Sequence, residues 1–460
     1  MRPFFDPSSV AVFGVEASPR NLAKNIVSNC LDMGFPGEIY PVGRRPGTVS
    51  GKEILTDPAD LPGGIELAVI LVPANAVPGV MAACGRKGIR HAIVSTAGYR
   101  ELNEAGNPAE RDLVAAAKRH GIRFIGPNCI GVICTESGLC TPFNPMAPQR
   151  FKKGPVSIIA QSGGVTTQTA YHFSEEHVGF SKIISVGNKL NITEVEFMEY
   201  LMKDPHTGQI HLYLESIEDG RRLMDLARRS PKPVVVFKSN RTRTASRVAW
   251  SHTAALSNDD RVVDGAFRQA GVVRVRDIHE MTVCAKALQL PPLKGDRLVA
   301  MSMSGGFSVV LGDACEENGF VCPELPRELL DEIEKFRRAG VIRMGNPMDF
   351  GDVHDIRALL FTVKRCLALE EIDGMVLSFL YDPEIARIFG RDIGRPEQIL
   401  ARLTQLCETA GKPIAFSLMC RRQYVEEFKG IGTFPVFNDA AESVAGLRML
   451  REYTRGRGGS

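Results

Sequence analysis

The sequence predicts an α/β protein built from three successive open, mainly parallel sheets. Two observations carry that expectation. From residue 9 onward short apolar strands alternate with amphipathic helices across short loops, the pattern of doubly wound sheets. The last third then repeats the landmarks of the middle third in order. Residues 157–165 (SIIAQSGGV) answer to residues 299–307 (VAMSMSGGF), Gly179-Phe180 to Gly319-Phe320, Gly187-Asn188 to Gly345-Asn346, and Lys232-Pro233-Val234 to Lys412-Pro413-Ile414. A preserved order with a widening offset is what a duplication leaves as its loops grow. The expected domains are residues 1–135, 150–290 and 297–455, with 456–460 as a short basic disordered tail.

In the first domain, Ser9 to Gly14 reads as a buried strand ending in glycine. A polar turn through Glu16, Ser18, Pro19 and Arg20 follows, and then a helix over 22–33. Further strands are expected at 38–42, 67–72, 91–95 and 123–125, with helices at 77–87 and 109–120. The first turn lacks GxGxxG, which argues against a nicotinamide dehydrogenase. A helix start behind such a turn still offers free amides to a phosphate. Arg44 and Arg45 follow the second strand and suit a ligand carrying several phosphates.

In the middle domain the strand at 155–160 runs into Gln161-Ser162-Gly163-Gly164 and a helix. Amides at a small-residue helix start, reinforced by the helix dipole, make an anion site. The strand at 210–214 ends at Glu215, and the strand at 234–237 ends at Lys238. The following loop carries Arg241, Arg243 and Arg247 and reaches Ser251-His252-Thr253. Open α/β sheets bind ligands at the carboxyl ends of their strands. A carboxylate on one imidazole nitrogen fixes the tautomer and leaves the other nitrogen free to attack phosphorus. His252 is therefore read as a phosphoryl-carrying nucleophile with Glu215 as its orienting acid. Lys238 and the nearby arginines are expected to balance charge on the moving phosphoryl group. The third domain has no SHT and no histidine after its KPIAFSL strand, so only the middle domain can carry the nucleophile.

Several runs resemble the nucleoside-diphosphate-forming acyl-CoA synthetases, the family of succinyl-CoA synthetase and ADP-forming acetyl-CoA synthetase. In the first domain these are the strand-one turn, YPVGRR, VPANAVP and GPNCIG. In the second they are QSGGV, GFSK(x)₄GN, YLESIEDGRR and SHTAAL. Ile130 is closer to the acetyl-CoA synthetase branch, and Ala254 stands where the family usually has glycine. The resemblance implies an N-terminal Rossmann-like CoA-binding domain followed by two flavodoxin-like domains of the succinyl-CoA synthetase type. It places Gly14, Ser18, Pro19 and Arg20 beside the CoA phosphates, and Arg44 or Arg45 on CoA. Ser95, Thr96, Ala97 and Gly98 would line the pantetheine arm, with Asn128 and Cys129 near the thiol end. It makes His252 the phosphorylated histidine, Glu215 its acid, and Ser162, Gly163 and Gly164 the helix terminus that holds the phosphoryl group. Asn346-Pro347-Met348-Asp349 resembles the family's NPVD run, to which no chemistry is assigned.

The family also needs an ATP-grasp domain for nucleotide and Mg2+. No stretch here reads as one, and Walker A is absent. The chain therefore corresponds to the α-type subunit, and a separate ATP-grasp β subunit is expected, in an αβ or α2β2 assembly. The implied reaction reversibly joins a small carboxylate to coenzyme A with ATP, through phosphohistidine and acyl-phosphate intermediates. The alternative is an inactive CoA- or acyl-CoA-binding regulator of the same fold.

Composition excludes other classes. A net charge of +3 argues against nucleic acid and anionic membrane as partners. No apolar run approaches a membrane span, and the N-terminus lacks a signal-peptide core. Eleven cysteines without CxxC or zinc-ligand spacing fit reduced thiols in a cytoplasmic protein and no metal site.

Overall fold

Strands that read as continuous apolar runs need both faces covered, and that need shapes all three sheets. The computed structural model describes residues 1–99, 108–242, 244–245, 259–336, 344–351, 353, 355–388 and 392–458. The chain divides into two units, Met1–Met281 and Thr282–Ser460.

The first sheet uses β1 (Ser9–Phe13), β2 (Glu38–Val42), β5 (Leu67–Ile70), β6 (His91–Val94) and β7 (Arg123–Ile125) in the order β2-β1-β5-β6-β7, all parallel. Helices α1 (Ala23–Asp32), α2 (Val77–Arg86) and α3 (Pro108–His120) connect them, and a small hairpin of β3 (Thr48–Val49) and β4 (Lys52–Glu53) follows β2. The topological switch lies between β1 and β5. There Gly14 has φ +94, and a Cβ on it would stand 2.0 Å from Leu71 O, so no side chain fits.

The second sheet holds β8 (Val132–Cys134), β9 (Leu139–Cys140), β10 (Val156–Ala160), β11 (Phe180–Ser185), β12 (Gln209–Leu214), β13 (Val234–Lys238) and β14 (Val273–Val275) in the order β14-β13-β12-β10-β11-β8-β9. Its helices are α4 (Gly163–Glu175), α5 (Glu194–Lys203), α6 (Gly220–Arg229) and α7 (Asp260–Gln269), and α8 (Ile278–Ala287) runs across the boundary between the two units. The β8–β9 hairpin lies before residue 150, where the sequence placed the domain boundary. It pairs antiparallel with β11 and covers an edge that would otherwise present unpaired backbone groups. First and second sheets share one core: Phe4 and Phe5 pack on Phe197 of α5 at 6.1 and 5.8 Å, and Phe5 stacks on Tyr200 at 4.9 Å.

The second unit carries the third sheet: β15 (Leu298–Ser302), β16 (Met348–Asp349), β17 (Gly374–Leu380), β18 (Ile414–Met419) and β19 (Val436–Phe437), ordered β16-β15-β17-β18-β19. Around them are α9 (Gly305–Glu317), α10 (Arg327–Glu334), α11 (Ile356–Leu367), α12 (Pro383–Ile388), α13 (Pro396–Ala410), α14 (Arg422–Ile431) and α15 (Ala440–Gly458). The parallel strands of all three sheets thus follow one order, second-first-third-fourth-fifth.

The repeat holds in its core and shifts in its loops. Lys232 and Lys412 do the same work. Each sends its ammonium onto the carbonyls at the end of the helix before the neighbouring strand. At the end of α5, Lys232 reaches Leu201 O and Asp204 O at 2.6 Å; at the end of α11, Lys412 reaches Leu367 O at 2.9 Å and Leu369 O at 2.6 Å. The two Gly-Asn pairs, however, do not correspond. Val186 N bonds Ala160 O and Phe350 N bonds Ser302 O, so Gly187 is matched by Gly351. Asn346 instead precedes β16, and its side-chain amide bonds Ala300 N and Leu298 O as a missing stretch of strand would. Gly319 likewise answers to His177, both in the left-handed region just after the equivalent helices, which puts Val178 opposite Phe320. The basic tail is also corrected. α15 runs to Gly458, Arg455 pairs with Asp296 at 2.6 Å, and Arg457 lies over the Tyr453 ring at 5.5 Å.

Candidate active site

The switch point of the second sheet lies between β10 and β12, and the two residues beyond those strands are Gln161 and Glu215. Ser162 caps α4, its hydroxyl accepting from Val165 N at 3.5 Å. That leaves the amides of the Gly163-Gly164 turn at a thirteen-residue helix start, where the dipole favours an anion. Gly163 must be glycine because a Cβ would come 2.7 Å from Ile130 Cγ2, whereas Gly164 is exposed and unobstructed.

Glu215 stands at this mouth with 8% of its surface exposed, its Oε1 accepting from Tyr213 Oη at 3.4 Å. Its backbone is past the end of the β12 ladder, yet it is fully bonded. Gln161 Oε1 accepts from both Glu215 N (3.0 Å) and Ser216 N (3.1 Å), and Gln161 Nε2 donates to Ser216 Oγ at 3.1 Å. Lys238 lies buried under the same turn, and its ammonium donates to Glu215 O at 2.9 Å and Ser239 O at 2.6 Å. Burial pushes that ammonium down to about 8. The expected phosphate contact thus acts on the backbone beneath the site. Lys189 donates to Ser216 O at 3.1 Å and pairs with the buried Glu194 at 3.2 Å. Burial raises the Glu194 carboxyl, and the Lys189 charge works against that rise.

Sequence reasoning missed Gln161 and Lys189. The signal for Gln161 was its position between a strand end and the SGG turn. For Lys189 it was a cation following Gly-Asn at a strand end. Arg241 is exposed beyond β13. His252, with Ser251, Thr253, Arg243 and Arg247, lies outside the described residues.

At the carboxyl edge of the first sheet, Gly14 and Gly43 let neighbouring backbone pack too closely for any side chain. A Cβ on Gly43 would stand 2.0 Å from Val15 O. Ser18, Pro19 and Arg20 form an exposed loop ahead of α1. Asn21, also missed from sequence, ties that loop down, donating to Gly14 O and accepting from Lys24 N, both at 2.9 Å. Arg20, Arg44 and Arg45 are exposed, with no carboxylate partner among the described residues. Three such arginines, exposed at one sheet edge, suit a phosphorylated ligand.

On the same edge Ser95 is buried, and Thr96 joins strand ends through Val72 O at 2.8 Å, while Ala97 and Gly98 open toward solvent. Asn128, in the left-handed region, donates its backbone N–H to Thr96 O at 2.9 Å. Cys129 is turned into the core, its thiol pushed up to about 12 by burial.

Comparison with known proteins agrees with this geometry. A CoA binding domain matches residues 8–135, and a succinyl-CoA ligase like flavodoxin domain matches residues 153–288. The chain is 34% identical to acetate–CoA ligase [ADP-forming] II subunit alpha of Pyrococcus furiosus over 348 residues, 75% of either chain. It is 33% identical to acetate–CoA ligase [ADP-forming] II of Archaeoglobus fulgidus over 470 residues, 99% of this chain and 67% of that protein. The dinucleotide forming acetyl-coenzyme A synthetase 1 of Ca. Korarchaeum cryptofilum, solved with phosphate and ADP, has a TM-score of 0.86 at 27% identity. That match covers 99% of this chain and 97% of that one. These relatives make the chain an acid–thiol ligase. The chain is a member of the ADP-forming acyl-CoA synthetase family, and within it corresponds to the α-type portion. Among the described residues no helix is long and apolar enough to cross a membrane.

Proposed function

We propose that this chain carries the CoA site and the phosphorylated histidine of an acyl-CoA ligase whose nucleotide and Mg2+ are bound by an ATP-grasp partner. The observation that carries the reading is the placement of Glu215, clamped at the switch point of the sheet whose strand β13 leads toward His252. Three domains divide the labour: a Rossmann-like domain for CoA and a flavodoxin-like domain for phosphoryl transfer, followed in the chain by a second flavodoxin-like domain.

The His252 imidazole attacks the γ-phosphorus of ATP, and ADP leaves. Glu215 holds the opposite ring nitrogen and stabilises the charged ring. The amides of Ser162, Gly163 and Gly164 hold the phosphoryl oxygens. The substrate carboxylate then attacks phosphorus, the N–P bond breaks, and an acyl phosphate forms. The CoA thiol attacks its carbonyl carbon and phosphate departs. CoA is held through Gly14, Ser18, Pro19, Arg20 and Arg44 or Arg45 at its phosphates. Ser95, Thr96, Ala97 and Gly98 line its arm, and Asn128 and Cys129 lie at the far end of the same edge. Each step is reversible. The acid is a small monocarboxylate, acetate being the one named for the relatives above.

The test is intact mass of the purified chain incubated with the ATP-grasp protein and Mg-ATP, beside His252→Ala. One acid-labile phosphoryl group on the wild type and none on the variant is the expected result. No phosphorylation with a bound, nucleotide-loaded partner would overturn the reading.

A further inference from the structure

The backbone of Glu215 and Ser216 raises a question of supply. Both residues lie past the last residue of β12, where the ladder offers no partners, and yet all four of their backbone polar groups are taken by side chains. Buried backbone groups must be bonded somewhere. Water or neighbouring backbone usually serves in a loop. Here three side chains from three other strand ends converge on a dipeptide. Gln161 follows β10, Lys189 follows β11, and Lys238 ends β13.

We propose that Gln161, Lys189 and Lys238 are positioning residues that clamp the Glu215–Ser216 backbone and so fix where the Glu215 carboxylate meets the phosphoryl-carrying histidine. The inference rests on the role given to Glu215 above and deepens it. Gln161 holds the two N–H groups with one oxygen, which sets the peptide plane between them. The two ammonium groups hold the two carbonyls from opposite sides, Lys189 from the β11 side of β10 and Lys238 from the far side of β12. With both flanking peptide planes fixed, the Glu215 Cα–Cβ bond has one direction.

The third sheet shows that the fold does not require this arrangement. Register carries Gln161 to Met303, Glu215 to Leu380, Lys238 to Leu418 and Lys189 to Val353. All four polar residues become apolar together, the acid and its clamp alike, while the strand order stays the same. A brace needed for folding would persist without the acid. A brace needed to aim the acid would go with it.

The test is a double-mutant cycle on the complete chain with its ATP-grasp partner, reading the rate at which the phosphoryl group appears from Mg-ATP. The variants are Gln161→Met, Glu215→Gln and the pair, with thermal unfolding followed alongside. Gln161→Met should slow phosphorylation about 100-fold, the cost of misplacing a reacting group by about an ångström. In the Glu215→Gln background the same change should cost under about 3-fold, because a residue that acts through another adds little once that other is gone. Losses that multiply would overturn the clamp while leaving the Glu215 reading intact. Wild-type rates in Glu215→Gln alone would overturn that reading, and the clamp with it. Should Gln161→Met fail to fold, Lys238→Met enters the same cycle with the same two outcomes.

Discussion

The second and third sheets are the same scaffold used twice, and they differ most where chemistry would be. Both place a strand, an SGG turn and a helix at the centre, and the lysines of the Lys-Pro pairs hold the ends of the equivalent helices α5 and α11. Their inner strands are mainly apolar and fully buried, so packing alone accounts for the shared order. Above the carboxyl ends, one copy buries two lysines and a glutamate beside a half-buried glutamine. The other has methionine, leucine, leucine and valine. Burying a cation costs several kcal/mol of desolvation even when it is well bonded, and replacing such groups with packed apolar residues is often neutral or better for stability. The third sheet avoids that cost: Leu418 and Val353 are buried where the lysines stand in the second, and Leu380, in the place of Glu215, is left exposed. The polar cluster of the second sheet is therefore best understood as kept for its geometry.

The largest effect should follow from giving the second sheet the third sheet's residues. Gln161→Met combined with Lys238→Leu should reduce phosphorylation of the chain by about 100-fold or more, while the unfolding free energy moves by less than about 2 kcal/mol. Stopped-flow or quench labelling from Mg-ATP gives the first number and denaturant titration the second. A variant that unfolds readily but keeps its rate would reverse the comparison, making the cluster structural.

Acid should separate the two sheets next. His211 is fully buried on β12, and burial holds its imidazole down to about 3 from 6.5. Its counterpart by register is Val376. Below pH 6.5 the unfolded chain takes up a proton that the folded chain refuses, so stability falls as pH falls, by at most about 1.4 kcal/mol per unit, until the folded group also titrates near 3. At pH 5 the loss should be about 2 kcal/mol, and His211→Val should remove it. Denaturant midpoints at pH 7.5 and 5.0 check this. Equal acid losses in both proteins would mean that other groups carry the acid limb.

Most of this architecture was legible in the sequence, for a physical reason. Strand, turn and helix are written in local pattern, so Gly14, the SGG turns and the strand end at Glu215 could be read residue by residue. What was not legible depends on neighbours brought in by the sheet. Gln161 acts across β10 and β12, and Lys189 on a turn one strand beyond. Lys238 was expected to face the phosphoryl group, but its ammonium turns under the loop to bond the Glu215 and Ser239 carbonyls. The Gly-Asn pairs misled because an asparagine side chain can imitate a strand, and two pairs with the same letters then serve different ends. The β8–β9 hairpin was missed because its strands are two or three residues long and answer to an edge elsewhere in the chain.

The smallest predicted difference is also the cleanest, because the two sites share sequence. Ser162 and Ser304 each precede Gly-Gly at a helix start with extended backbone, but only Ser162 accepts a hydrogen bond from its own first turn. Losing a serine cap typically costs about 1 kcal/mol, so Ser162→Ala should destabilise by about that amount. Ser304→Ala has no cap bond to lose and should stay within about 0.5 kcal/mol of the parent. The chain forms two units, so each variant is to be read in the transition of its own unit, by hydrogen exchange of α4 or α9 amides, since a single global midpoint need not be two-state. Equal effects would show that the α4 cap contributes nothing to holding the helix start, and that an anion at Gly163-Gly164 would be held by backbone geometry alone. Unequal effects would tie the order of that helix start, and with it the phosphoryl site, to one hydroxyl.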